Sequence, residues 1–180
     1  MKGTGTLSTG LFVAIFLGIG LSPAAVFADS DAVEAGRLLA VLHDSGRVTI
    51  GANQPLINDP DKGDKGFTPD VFEKQVTDKF KDRAKVNLAD LKNEKIPELA
   101  KKLLPQLIDA MKSTVADYQP VINRPGVGFK GFIPATFGTQ AAAKFRAKTG
   151  VYLKQTQNPS RNPKNAPDDF ELKALAKFAE

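Results

Sequence analysis

Apolar residues first recur at near-helical spacing within Asp31–Ser45, where Val33, Leu38, Val41 and Leu42 share a face and Gly46 stands ready to stop the helix. The next run, RVTIGA at Arg47–Ala52, is rich in β-branched residues and short enough for one strand. Asn53–Gly66, NQPLINDPDKGDKG, places Asn, Asp, Pro or Gly at nearly every second position and predicts an ordered loop of successive turns. Thr68 then caps a helix that Pro69 can open without losing a hydrogen bond, and Phe72, Val76 and Phe80 line one side of it. Val86–Pro97 is polar, with Leu88 and Leu91 as anchors, and predicts a solvated connector. From Pro97 a longer helix carries the stripe Leu99, Leu103, Leu107, Met111 and Val115, widened by Leu104 and Ile108. Pro105 inside it predicts a kink or a division into two helices.

Pro120, Pro125 and Gly126 close that region. The run VGFKGFIPATFG, Val127–Gly138, follows, and its Phe129, Phe132 and Phe137 either fill a core, the commoner use of large aromatics, or line a ligand pocket. Thr139–Thr149 predicts a helix with Ala142 and Phe145 inward and Gly150 as its stop. VYLKQT, Val151–Thr156, alternates apolar and polar residues like a half-buried strand. QNPSRNPKNAPDDFE, Gln157–Glu171, is a connector stiffened by prolines, leading to a final amphipathic helix with Phe170, Leu175 and Phe178, capped by Asp168 or Asp169. Two strands without a hairpin partner make too little sheet. Either further strands lie around Val127–Ile133, or the chain is the front part of a longer domain.

Composition changes the picture at the N-terminus. Lys2, the apolar run Leu11–Leu21 and the small residues up to Ala28 have the order of a secretory signal peptide, with Val26 and Ala28 at the −3 and −1 positions and Asp29 as the new N-terminus. The run is short of the ~20 apolar residues a membrane span needs. Residues 1–28 are therefore read as the signal and residues 29–180 as one domain, periplasmic or secreted and free of the membrane after cleavage. The net charge of +5 is dispersed, with no basic cluster interleaved with aromatics, which argues against nucleic acid as a partner. The chain has no cysteine, so disulfides, thiolate metal sites, a cysteine nucleophile and a CxxCH haem attachment are all excluded within it.

Candidate chemistry is sparse. His43, the one histidine, reads first as a structural residue near a helix end and second as a ligand to metal or haem iron. Ser45 stands close to it but on no nucleophile elbow. Asp59, Asp61 and Asp64 alternate in a glycine-rich loop, yet the spacing lacks the glycine and glutamate of a calcium loop, so Asx turns and ion pairs are the preferred reading. Arg161, flanked by Asn158, Asn162 and Asn165, can lock its loop or grip an anionic ligand. No acid, base and nucleophile converge, so no enzyme is expected and no metal site is assigned.

Two stretches, GRVTIGANQPLINDPDKGDKGFTPDVF at Gly46–Phe72 and FKGFIPATFGTQAAAKFRAKTGVYLKQTQNPSRNPKNAPDDFE at Phe129–Glu171, together resemble a bacterial extracytoplasmic family. Its members carry a PAS-like sensor domain, often with c-type haem, alone or within histidine kinases and chemoreceptors. The resemblance implies an α+β fold with a helical N-terminal part and a small antiparallel sheet, here incomplete at the C-terminus. It also implies a CxxCH motif beyond the RNPKNAPDDFE stretch, which this chain does not contain. The resulting expectation is a non-enzymatic sensory or ligand-binding domain without covalent haem, its unknown small ligand lying between the segment that carries Phe129, Phe132 and Phe137, the Asn58–Phe67 loop and Arg161, with a signalling partner downstream. The alternatives are a protein holding haem non-covalently through His43, and a fragment completed by a partner chain.

Overall fold

The computed structural model describes residues 23–178 apart from 157 and 161, and side chains from residue 30 onward apart from 164, 177 and 178. Its helices are α1 (Pro23–Ala52), α2 (Gln54–Ile57), α3 (Pro69–Ala84), α4 (Glu98–Asp117), α5 (Gln119–Ile122), α6 (Pro134–Thr149) and α7 (Asp169–Phe178). Short 3-10 turns lie at Leu88–Asp90 and Pro163–Asn165. Helices α1 and α4 form a central pair, and α3 and α6 each pack against both.

The expected PAS-like α+β fold with a small antiparallel sheet is overturned: the described residues form no strand and no sheet. RVTIGA is the C-terminal part of α1. The buried positions Leu38, Leu42, Ser45, Thr49 and Ile50 keep the helical period through this run, so packing against α4 and α6 outweighs the local preference of Val48, Thr49 and Ile50 for extended backbone. The two buried hydroxyls fit a helix because each bonds back one turn, Ser45 Oγ to the Val41 carbonyl at 2.8 Å and Thr49 Oγ1 to the Ser45 carbonyl at 2.9 Å. Gly46 does not stop the helix. A Cβ there would lie 2.8 Å from Met111 Sδ and 2.9 Å from Phe137 Cε1, so the glycine is a point of close helix approach.

The second expected strand, Val151–Thr156, forms neither strand nor helix. Side chains hold it instead: Lys154 Nζ donates to the Ala166 carbonyl at 2.7 Å and Thr156 Oγ1 to the Asn165 carbonyl at 2.9 Å. Val127–Ile133 contributes no strand either. Pro105 does not divide α4, because it lies on the exposed side of a continuous helix whose other side buries Leu103, Leu104, Leu107, Ile108 and Met111. Leu99, assigned to that buried stripe, is largely exposed.

Locally coded features stand as read. Thr68 Oγ1 accepts from the Val71 amide at 3.2 Å, Pro69 opens α3, and Phe72, Val76 and Phe80 are fully buried. Gly150 ends α6 in the left-handed conformation at φ 76°. Asp168 and Glu171 form a reciprocal capping box at the start of α7: the Glu171 amide donates to Asp168 Oδ1 at 2.8 Å, and the Asp168 amide to Glu171 Oε2 at 2.9 Å. Aromatic rings bind the bundle internally, running from Phe67 to Phe72, Phe137, Phe132 and Tyr118, with the last pair stacked at 4.4 Å.

Candidate functional site

Helix α6 has two working faces. Phe137, Ala141 and Phe145 recur every four residues and face the core, where all three are buried. Around the helix from them, Ala135, Gly138, Thr139, Ala142, Ala143 and Ala147 recur at spacings of three and four and floor a cleft of about 560 Å³. The segment Tyr152–Gln155 and Asn165 supply its other wall. Small side chains keep the floor low while the returning chain stands above it. The volume lies in the ~300–1,000 Å³ range of small-molecule sites.

His43 borders this cleft from α1 and is buried. Its Nε2–H donates to the Gly138 carbonyl at 3.0 Å, across the α1–α6 contact. A Cβ at Gly138 would sit 3.3 Å from His43 Cε1 and 3.1 Å from Arg47 Cδ, so this glycine lets the two helices meet closely enough for the bond. Burial holds the imidazole below its ordinary pKa; the Gly138 carbonyl opposes that shift, nearby Arg47 reinforces it and Asp44 opposes it. The neutral ring is thus a helix-to-helix tie.

Two cations line the cleft. Lys154 is held by Glu171 Oε2 at 2.7 Å as well as by the Ala166 carbonyl, and Glu171 holds its ammonium above its ordinary pKa. Arg146, on the last turn of α6, places its guanidinium carbon 4.9 Å from the centroid of the Tyr152 ring. Among the described residues that line the cleft, none is acidic.

The other expected ligand residues fall elsewhere. Phe132 and Phe137 are fully buried in the aromatic core, Phe129 is 73% exposed, and none of the three lines the cleft. Arg161 lies outside the described residues. The Asn58–Phe67 loop and the segment after Gly126 are stitched together: Gly126 N–H donates to the Pro60 carbonyl at 2.8 Å, Lys130 N–H to Asn58 Oδ1 at 3.1 Å, and Lys130 Nζ to the Ile57 carbonyl at 2.6 Å. Burial, and then the neighbouring Lys65 ammonium, hold the Lys130 ammonium below its ordinary pKa. Lys65 Nζ itself donates to the Asp59 and Lys62 carbonyls. In the acidic loop the carboxylates turn back on their own backbone, Asp59 Oδ1 accepting from the Asp61 amide at 2.9 Å and Asp64 Oδ1 from the Gly66 amide at 2.8 Å. These are Asx turns, and no metal-holding cluster occurs among the described residues.

Arg146, Tyr152 and the small-residue face of α6 were not singled out from the sequence. The face was readable from the spacing of Ala135, Gly138, Ala142 and Ala143; that a later segment returns over it was not.

The c-type haem implied by the resemblance does not fit these residues. Thioether attachment needs thiols, of which the chain has none. The one imidazole spends its Nε2 on a backbone carbonyl inside a helix contact. No curated protein and no solved structure matches the chain. Residues 73–180 match the Tll0287-like family. That span begins inside α3 and takes in α4, α6, α7 and the whole FKGFIPA to PDDFE stretch, while the first resembling stretch and His43 lie before it. The match covers more than half of the sequence, and the chain belongs to the Tll0287-like family, a c-type haem-related domain.

Proposed function

We propose that this chain is an extracytoplasmic, non-enzymatic domain that binds a small ligand for a sensory output, without covalently held haem. The observation that carries the reading is the α6 cleft, a concave site floored by small side chains and walled by a segment held through side-chain hydrogen bonds. Small apolar residues of α6 share the lining with the polar side chains of Thr139, Arg146, Lys154, Gln155 and Asn165, as suits recognition of an organic molecule with an apolar body and a polar group. The residues around it favour binding over catalysis: His43 is the only imidazole available as a base, and its Nε2 is committed to Gly138. The signal-like N-terminus supports a periplasmic or secreted location.

The test is titration of the ¹⁵N-labelled protein with 2-naphthamide, a flat neutral probe. Amide shifts should concentrate at Gly138, Thr139, Ala142 and Ala143. Ala143→Trp, at an exposed position on the cleft floor, should abolish them without unfolding the chain. Shifts scattered over the surface, or unaffected by Ala143→Trp, would remove the reading. Protein produced with haem available should show no Soret band. A Soret band lost in His43→Ala would replace this reading with non-covalent haem.

A further inference from the structure

We infer that the α6 cleft selects organic anions, a carboxylate on an apolar body, and that Arg146 is the residue that reads the charge. The inference rests on the ligand-binding reading above and specifies its chemistry. Among the described residues the electrostatics of the lining are one-sided: Arg146 and Lys154 are its charged residues, with no aspartate or glutamate beside them. The two cations are not equivalent. Lys154 is already neutralised by Glu171 and anchored to the Ala166 carbonyl, so it builds the wall.

Arg146 has no carboxylate partner among the described residues, and its guanidinium is oriented by the face of Tyr152. The neighbouring cations of α6 make a telling contrast: Lys144 is paired with Asp117 and Lys148 with Asp109 at 3.0 Å. Of these three α6 cations, the one that borders the cleft is thus the one without an acid among the described residues. A planar fork of donors, pre-oriented by stacking and bordering an apolar floor, matches the two oxygens of a carboxylate better than it matches a neutral amide. The apolar body then lies along Ala142 and Ala143.

The probe pair is 2-naphthoate and 2-naphthamide, which share a ring system and differ in charge, titrated into the whole chain by amide shifts and calorimetry. Naphthoate should bind about tenfold or more tighter, the range of a hydrogen bond to a charged group. Arg146→Gln should erase that advantage while leaving the affinity for naphthamide unchanged. The second comparison separates charge recognition from packing, since loss of the Tyr152 stack alone would weaken both probes together. Equal affinity for the two probes, untouched by Arg146→Gln, would overturn the anion inference and leave the ligand-binding reading standing. Failure of both probes to shift the cleft amides would overturn both.

Discussion

Two single residues decide whether α1, α4 and α6 meet as they do. At Gly46 two effects compete. Alanine is favoured over glycine in a helix interior by about 1 kcal/mol. Against that, the added methyl would press on Met111 and Phe137, both fully buried, and overpacking costs about 1–3 kcal/mol. The thioether can rotate away, but the phenyl ring is held by Phe72 and Phe132, so overpacking wins. Gly46→Ala should therefore lower stability by up to about 2 kcal/mol, read as a fall in the urea midpoint at constant m; an unchanged or higher midpoint would contradict the close contact. At His43 the effect is on pH. Because burial depresses the folded-state pKa, the unfolded chain takes up a proton first as pH falls below about 6.5. Stability is full above that pH, declines as it is crossed, and stops declining once the folded imidazole also titrates. His43→Gln should be less stable at pH 7.5 and should lack this component of the slope between pH 7 and 5, which urea melts of both proteins at several pH values would show. Equal slopes would mean the ring is not buried neutral.

Among whole elements, α4 carries an avoidable penalty. An interior proline costs about 3 kcal/mol relative to alanine, because it removes one helical hydrogen bond and crowds the preceding turn. The position is exposed, so the Lys101 carbonyl it leaves unpaired can be hydrated and the buried stripe continues undisturbed. Pro105→Ala should raise stability by about 1–2 kcal/mol, less than the full penalty because the native helix has already accommodated the ring. A drop in the melting midpoint would mean instead that the packing of Leu104 and Ile108 depends on a bend that proline imposes. The elements differ in what a sequence exposes and what it hides. Thr68 with Pro69, Gly150, and a cap at Asp168 or Asp169 were legible because a cap or stop is decided within four residues; that Glu171 closes a reciprocal box with Asp168 was not read. RVTIGA was misread because its β-branched side chains are locally strand-like, and only contact with α4 and α6 reveals that Thr49 and Ile50 continue the buried face of Leu38 and Leu42. The cleft was hidden for a related reason. Its floor is written in the spacing of small residues on α6, but its wall depends on Lys154 reaching Ala166 and Glu171, contacts 12 and 17 residues away.

For the molecule as a whole, the expected processing site and the bundle must be compatible. Helix α1 begins at Pro23, so a cut after Ala28 would remove its first turns. Among the described side chains the first buried one is Ala35, and residues 30–33 are exposed, so the core begins well inside the shortened helix. The new end would carry Asp29, Ser30 and Asp31, acids and a hydroxyl that suit the positive end of a helix dipole and its unpaired amides. Processing should thus cost little. Exported protein should have the intact mass of a chain starting at Asp29. Its unfolding free energy from urea melts should match that of residues 23–180 to within about 0.5 kcal/mol, the usual span for changes at the surface. Far-ultraviolet circular dichroism should show the paired minima of a helical protein with no strand component, lost in one cooperative transition on heating, since α1, α3, α4 and α6 share one core. A mass that retains residues 1–28 would remove the processing site. A strand signature in the exported chain would restore the sheet that the bundle replaces, and a non-cooperative melt would show that the helices do not form a self-sufficient core.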